Sequence, residues 1–190
     1  MQNSDRKLLI LDLDETLIYA TEEKLERESD FTVGQYFVYK RPFLEDFLEF
    51  CFENFAVAVW TTATESYAEE ILKTILKANQ KLQFLWTRQR CTLVFDEEER
   101  EHFFAKRISK LRRRKFNLES IIVVDDSPNV WRCSYGNLVR VNKFEGGEND
   151  DELKFLPIYL HKLLEIPNVR KIEKRNWRNK ILKFDASGER

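Results

Sequence analysis

Three short stretches of this chain are continuously apolar, and each stops at residues that can do chemistry. Lys7 to Leu11 runs into Asp12, FAVAVWT over 55–61 ends in threonine, and IIVV over 121–124 runs into Asp125. Runs with no polar alternation are the pattern of strands buried on both faces of a parallel sheet. LVRV over 138–141 reads as a fourth strand. Between these runs, apolar residues recur at helical spacing. Phe43, Leu44, Phe47, Leu48, Phe50 and Cys51 define a helix over 42–55, with Pro42 suited to its first turn. Tyr67, Ala68, Ile71, Leu72, Ile75 and Leu76 define a second over 65–77, and a third covers 152–164. Residues 31–39 read as a short hairpin or strand, 91–95 as a strand and 103–111 as a helix. Strands separated by helices of this length predict an α/β chain, a three-layer parallel sheet with helices on both faces.

A length of 190 residues fits one domain, expected to cover 1–169, with a basic helix or tail over 170–190. Thirty-two basic residues against thirty-three acidic ones leave a formal charge of −1. Neither nucleic acid nor an anionic membrane is therefore expected as a partner. No apolar run approaches the ~20 residues that span a bilayer, and aspartates interrupt the opening segment too early for a secretory signal. Cys51, Cys91 and Cys133 are far apart and lack CxxC spacing. This pattern argues against a disulfide framework or zinc knuckle and for a reducing compartment. A cytoplasmic location is expected, with the nucleus open if the source is eukaryotic. A cysteine nucleophile followed six positions on by arginine is excluded, because those positions hold Val57, Glu97 and Val139. Five scattered glycines do not make a P-loop, and His102 and His161 lie far apart.

Ligands of such sheets bind beyond the carboxyl ends of the strands. The first strand ends in Asp12-Leu13-Asp14-Glu15-Thr16, a D-x-D-x-T pattern with two aspartates on one side of an extended backbone. A solvated acidic turn is the plainer alternative. The second ends in Thr61 and Thr62 just before a helix, where hydroxyl and N–H groups can cradle a phosphate or simply cap the helix. The third ends in Asp125-Asp126-Ser127-Pro128, the last two suited to an N-cap and first helical position. Adjacent carboxylates need a cation to stay ionised at close range, and Mg²⁺ takes one or two carboxylates plus waters and phosphate oxygens. Lys106 lies between the second and third strands in EHFFAKRISKLRRRK, on a solvated basic face or placed to neutralise phosphate.

Taken in order, D-x-D-x-T, Thr, Lys and Asp-Asp resemble the haloacid dehalogenase-like superfamily. The segments DLDETL, YKRPFLEDFL, WTTATESYAEEIL, FFAKRISKL and VVDDSPNVW extend that resemblance over roughly 7–165. They are similar to the nuclear LIM interactor-interacting factor type, the branch that includes small phosphatases acting on the RNA polymerase C-terminal domain. The resemblance implies a Rossmann-like fold with a small insertion rather than a large cap. It implies Mg²⁺-dependent hydrolysis of phosphate monoesters through an aspartyl-phosphate. Asp12 becomes the nucleophile, and Asp14 the general acid and then the base. The metal group comprises Asp12, the Asp14 carbonyl and Asp126, with Asp125 supporting Lys106 or a bound water. Thr61, Thr62 and Lys106 bind the phosphate. A carboxylic acid at Asp14 favours phosphatases or phosphomutases over the superfamily's dehalogenases and transport ATPases.

Two features depart from the branch. Asp126 stands where asparagine is common, and the segment before YKRP is short, so an apolar pocket for a substrate proline is not implied. An open site suits a phosphorylated protein or peptide carrying phosphoserine or phosphothreonine. A small phosphate monoester is the alternative substrate. A non-catalytic phosphate- or nucleic-acid-binding module on the same scaffold is the alternative function. Two basic runs, 106–115 and 170–183, are read as solvated faces or tails, with binding of a nucleic-acid backbone as the alternative; the first, which follows Lys106 directly, is also read as an attractor of acidic or multiply phosphorylated peptides.

Overall fold

The computed structural model describes residues 6–97, 100–114 and 116–181. Strand β1 (Leu8–Leu11) is followed by β2 (Ile18–Thr21), β3 (Phe31–Val33) and β4 (Tyr36–Lys40). Helix α1 (Leu44–Asn54) leads to β5 (Ala56–Trp60), and α2 (Glu65–Ile75) leads to β6 (Leu85–Trp86). Then come β7 (Thr92–Asp96), β8 (Glu101–Ala105), β9 (Ile121–Asp125), β10 (Leu138–Arg140) and α3 (Glu152–Leu164).

The central sheet has the order β10-β9-β1-β5-β6 and is parallel throughout. Connections leave β1 first toward β5 and later return to its other side at β9. A topological switch point therefore lies at the carboxyl end of β1, where such sheets bind ligands. Alternation divides the strands' side chains between two cores. Leu9, Leu11, Val57, Val59, Ile122 and Val124 pack with residues of α1, α2 and α3. Leu8, Ile10, Ala58, Trp60, Ile121 and Val123 pack on the opposite face against Trp86, Ile108, Leu111 and Trp131. Apolar strands buried on both faces are the reason no hydrophobic/polar alternation is visible in them.

The layer on that second face consists of 3₁₀ segments, Ile108–Arg114, Leu118–Ser120 and Pro128–Asn137. The helix expected over 103–111 does not form. Phe103 and Phe104 instead pair with Val94 and Leu93 across the β7-β8 hairpin. The spacing misled because Ile108 and Leu111 share a face in a 3₁₀ turn as they would in an α-helix. The insertion after β1 is an antiparallel three-stranded sheet, β2-β4-β3, and β2 and β6 had no clear signal in the sequence.

Beyond residue 169, the segment read as a basic helix or tail packs onto the first core through Trp177 and Ile181. Trp177 Nε1 donates to the Arg140 carbonyl at 2.8 Å. Lys115, at the end of the first basic run, and residues 182–190, which include the end of the second, lie outside the described residues. Among the described residues no helix is long and apolar enough to cross a membrane.

Candidate active site

Leu13 and Leu17 are buried in the core on either side of a tight turn closed by Leu17 N–H donating to the Leu13 carbonyl at 2.8 Å. That anchoring leaves Asp12 and Asp14 at the sheet's carboxyl edge. Glu15 completes the turn with φ of 59°, a left-handed conformation uncommon for a residue with a side chain. On the neighbouring strand, Leu11 is level with Val59, which puts Thr61 one residue beyond the level of Asp12. On the other side Leu11 is level with Val124, and Asp12 N–H donates to the Val124 carbonyl at 3.1 Å. Asp125 therefore lies beside Asp12 as a direct consequence of strand register.

Lys106 reaches this cluster from the end of β8. Its Nζ donates to Asp12 Oδ1 at 2.6 Å and to Asp125 Oδ2 at 2.7 Å, and the residue is only 2% exposed. Asp125 is fully engaged. Its Oδ2 also accepts from Trp131 Nε1 at 2.7 Å, and its Oδ1 accepts from Ser127 N–H at 2.8 Å. Asp126 exchanges hydrogen bonds with Thr16, whose Oγ1 donates to Oδ1 at 3.1 Å and accepts from the Asp126 N–H at 3.2 Å. Ligand oxygens of Asp12, Asp125 and Asp126 all lie within 4.8 Å of one another. Asp14 Oδ1 accepts from the Tyr67 hydroxyl at 2.6 Å.

The four charged groups set opposing electrostatic demands. Burial pushes the Asp12 carboxyl well up, Lys106 pulls it down, and Asp125 adds to the upward push. Burial alone would lower the Lys106 ammonium, but Asp12 and Asp125 outweigh it and hold the lysine above its ordinary value. Asp126 is raised to about 6, by burial first and Asp125 second. Burial raises Asp14 as well, against the hydrogen bond from Tyr67. With the clustered Asp12, Asp125 and Asp126 all ionised, the one ammonium of Lys106 leaves this group two negative charges in excess. Such an excess favours a bound dication.

Thr61 is buried, and its Oγ1 accepts from Ala63 N–H at 3.0 Å. It does not cap α2, whose N-cap position is Thr64. Thr62 offers its carbonyl to Arg88 Nε at 2.7 Å. The six positions Asp12, Asp14, Thr61, Lys106, Asp125 and Asp126 thus occupy neighbouring strand ends, and Thr62 sits on the adjoining loop. The 106–115 run does not form one basic face. Lys106 is internal, Lys110 Nζ donates to the Arg90 carbonyl at 2.7 Å, and Arg114 lies over the Trp86 ring.

Sequence reasoning assigned no role to Thr16, Trp131, Tyr67 or Arg41. All four stood inside the motif segments, so their positions were visible but not their partners. Tyr67 read as an apolar helix position because periodicity says nothing about where a hydroxyl points. Arg41 is 1% exposed and grips Asp150 with two nitrogens at 2.8 Å each. It also donates to the carbonyls of Thr16 at 2.9 Å and Asn142 at 2.8 Å. It thereby ties the turn after β1 to the segment after β10.

A family model described as NLI interacting factor-like phosphatase matches residues 7–170. Relatives include the CTD small phosphatase-like protein 2 of Dictyostelium discoideum, 31% identical over 175 residues, covering 88% of this chain and 29% of the relative. The CTD nuclear envelope phosphatase 1 homolog of Drosophila melanogaster is 27% identical over 186 residues, 90% of this chain and 73% of the relative. This chain thus spans less than a third of the first relative's length. Among solved structures, Fcp1, an essential RNA polymerase II CTD phosphatase, superposes with a TM-score of 0.57 at 20% identity. That match covers 96% of this chain and 63% of the other. At that identity the likeness speaks for the fold.

Proposed function

Starting from the fact that this chain belongs to the NLI interacting factor-like phosphatase family, we propose that it hydrolyses phosphate monoesters through an aspartyl-phosphate on Asp12. The observation that carries this reading is the convergence of the buried Asp12, Lys106 and Asp125 with the half-buried Asp126 at the sheet's switch point.

Unaided hydrolysis of phosphate monoesters is so slow that enzymes accelerate it by up to ~10²¹-fold. A carboxylate nucleophile divides the barrier into two lower ones. In the first half, an Asp12 oxygen attacks phosphorus, the ester P–O bond breaks, and Asp14 gives its proton to the departing alcohol oxygen. In the second half, Asp14 takes a proton from water as the water oxygen attacks phosphorus. The bond to Asp12 then breaks, releasing inorganic phosphate and restoring both carboxyls. Burial supports the protonated Asp14 needed first, and the Tyr67 hydrogen bond supports the ionised Asp14 needed second. Lys106, held charged, faces the incoming phosphate oxygens, and Thr61 and Thr62 line the neighbouring strand end.

Mg²⁺ fits the donor set. The carboxylates are hard oxygen ligands, closely spaced, and carry an uncompensated negative charge. Asp12, Asp126 and the Asp14 carbonyl are the groups to hold it, because both Asp125 oxygens are committed to Lys106, Trp131 and Ser127. Bound there, Mg²⁺ supplies charge that lets Asp12 ionise and that offsets charge on the phosphate oxygens.

The substrate we infer is a phosphoserine or phosphothreonine in a polypeptide. Its support is the small β2-β4-β3 insertion in place of a separate cap, together with relatives named as CTD phosphatases. Relatives named for the nuclear envelope support a nuclear location beside the cytoplasmic one. A panel of phosphoserine, phosphothreonine and phosphotyrosine peptides against common metabolite monoesters tests the reading. Peptides are expected to have the higher kcat/KM, and metabolites ahead by orders of magnitude would overturn the protein-phosphatase assignment.

A further inference from the structure

At the β10 edge of the sheet lies a cavity of about 710 Å³, within the ~300–1,000 Å³ range of ligand pockets. Arg140, Arg170, Lys171, Lys174 and Arg175 contribute to its lining, with Trp177 among them. Its walls are well bonded. Trp177 Nε1 donates to the Arg140 carbonyl at 2.8 Å, fastening the C-terminal segment to the sheet edge. Glu152, 2% exposed, accepts from Asn142 N–H at 2.9 Å and Arg178 Nη1 at 2.7 Å.

Those bonds use up the carboxylates and leave cations over. Glu173 is taken by Arg175 at 2.5 Å, and Asp151 and Glu152 are taken by Arg178. Among the described residues Arg140, Arg170 and Lys171 form no ion pair. Lys174 is 4% exposed and donates to the carbonyls of Val169 at 2.5 Å and Ile172 at 2.8 Å, two of its three N–H bonds. Burial outweighs the pull of Glu173 and drops this ammonium to about 8. An anion in the cavity would relieve that cost.

Position suggests whose anion it is. Arg140 is level with Asp125 on adjacent strands, and adjacent strands are ~4.8 Å apart. The cavity wall at Arg140 therefore begins about one strand spacing from Asp125, within reach of a few residues of extended polypeptide at ~3.3 Å each. A continuous nucleic-acid backbone suits it less well, because the chain as a whole carries a formal charge of −1. We propose that this cavity is a second phosphate site, docking a phosphoserine or phosphothreonine of the polypeptide substrate a few residues from the one being hydrolysed. The proposal rests on the phosphatase reading above and names a preference for multiply phosphorylated segments.

The test compares peptides with one phosphate and peptides with a second one ~3–6 residues away. The chains compared are the wild type and the surface double variant Arg170→Gln/Lys171→Gln. The second phosphate is expected to raise wild-type kcat/KM about tenfold, mainly through KM. The double variant is expected to lose that gain while turning over p-nitrophenyl phosphate at the parent rate. Equal kcat/KM for both peptides in the wild type overturns the docking site, as does a matching loss of p-nitrophenyl phosphate turnover in the variant. If the wild type turns over no phosphate ester at all, the phosphatase reading has failed instead. Docking is then read by fluorescence anisotropy of the labelled doubly phosphorylated peptide on Asp12→Asn. Binding about tenfold weaker once Arg170 and Lys171 are also replaced supports the site. Unchanged binding, or tighter binding of a single-stranded RNA of equal charge, refutes it.

Discussion

Lys106 Nζ lies 2.6 Å from Asp12 Oδ1 and 2.7 Å from Asp125 Oδ2, although 94 residues separate Lys106 from Asp12 in the chain. One ammonium therefore joins the ends of β1 and β9 to the end of β8. Removing one partner of a buried ion pair leaves uncompensated charge and typically costs about 3–5 kcal/mol. Lys106→Met is expected to lose stability of that order, measured by urea denaturation. A chain folded by added Mg²⁺ is still expected to lose phosphatase activity by about 10²–10³-fold, the cost of removing one charge stabiliser. Full activity in Lys106→Met would show that the lysine is structural only.

Metal-free chain should be more stable at mildly acidic pH than at neutral pH. Asp126 is raised from 3.8 to about 6 in the fold, so between those values the folded chain binds more protons than the unfolded one. Stability then falls as pH rises through that window, and the cost is fully present above it. Asp12, also raised, acts in the same direction. Asp126 is partly open to water, so the change expected from it is about 1 kcal/mol rather than the full shift. Urea midpoints between pH 4 and 7 report it. Asp126→Asn should flatten the slope, and Mg²⁺ should stabilise the parent most near neutrality. A midpoint that climbs steadily toward pH 7 in metal-free protein would contradict this electrostatic picture.

Arg41 holds Asp150 and two carbonyls with a planar fork that lysine cannot reproduce. Arg41→Lys is expected to cost about 3 kcal/mol by urea denaturation. Because Arg41 bonds the Thr16 carbonyl and Thr16 bonds Asp126, the variant should also need more Mg²⁺ for half-maximal activity. Stability within about 0.5 kcal/mol of the parent would mean that the network is solvated rather than structural.

The Tyr67 hydroxyl orients Asp14 across 2.6 Å while the Tyr67 ring packs edge-on against Tyr36. Tyr67→Phe keeps the ring and removes the donor. A lost hydrogen bond to a charged group predicts a drop in kcat of about tenfold, with KM for p-nitrophenyl phosphate little changed. An unchanged kcat would remove Tyr67 from the account.

Much of this site was legible because its residues follow buried strands, and a buried strand reveals itself as an unbroken apolar run. Asp12, Thr61 and Asp125 were found in this way. Lys106 was harder, since its neighbours form a hairpin that depends on pairing Phe103 with Val94. A pairing between separate segments leaves no local period, so the segment read as helix. The bonds of Thr16 to Asp126 and of Trp131 to Asp125 were hidden for the same reason. The 3₁₀ layer was equally hidden, as its apolar spacing of three matches that of an α-helix.

The central claim is that Asp12 takes the phosphoryl group. Acid quenching during turnover of p-nitrophenyl phosphate with Mg²⁺, followed by peptide mass spectrometry, tests it most directly. Asp14→Asn, which lacks the base for the second half-reaction, should accumulate the intermediate. The account predicts a phosphoryl group on Asp12 in that variant and no turnover in Asp12→Asn. Turnover that persists in Asp12→Asn, or a phosphoryl group mapped to another residue, would contradict it.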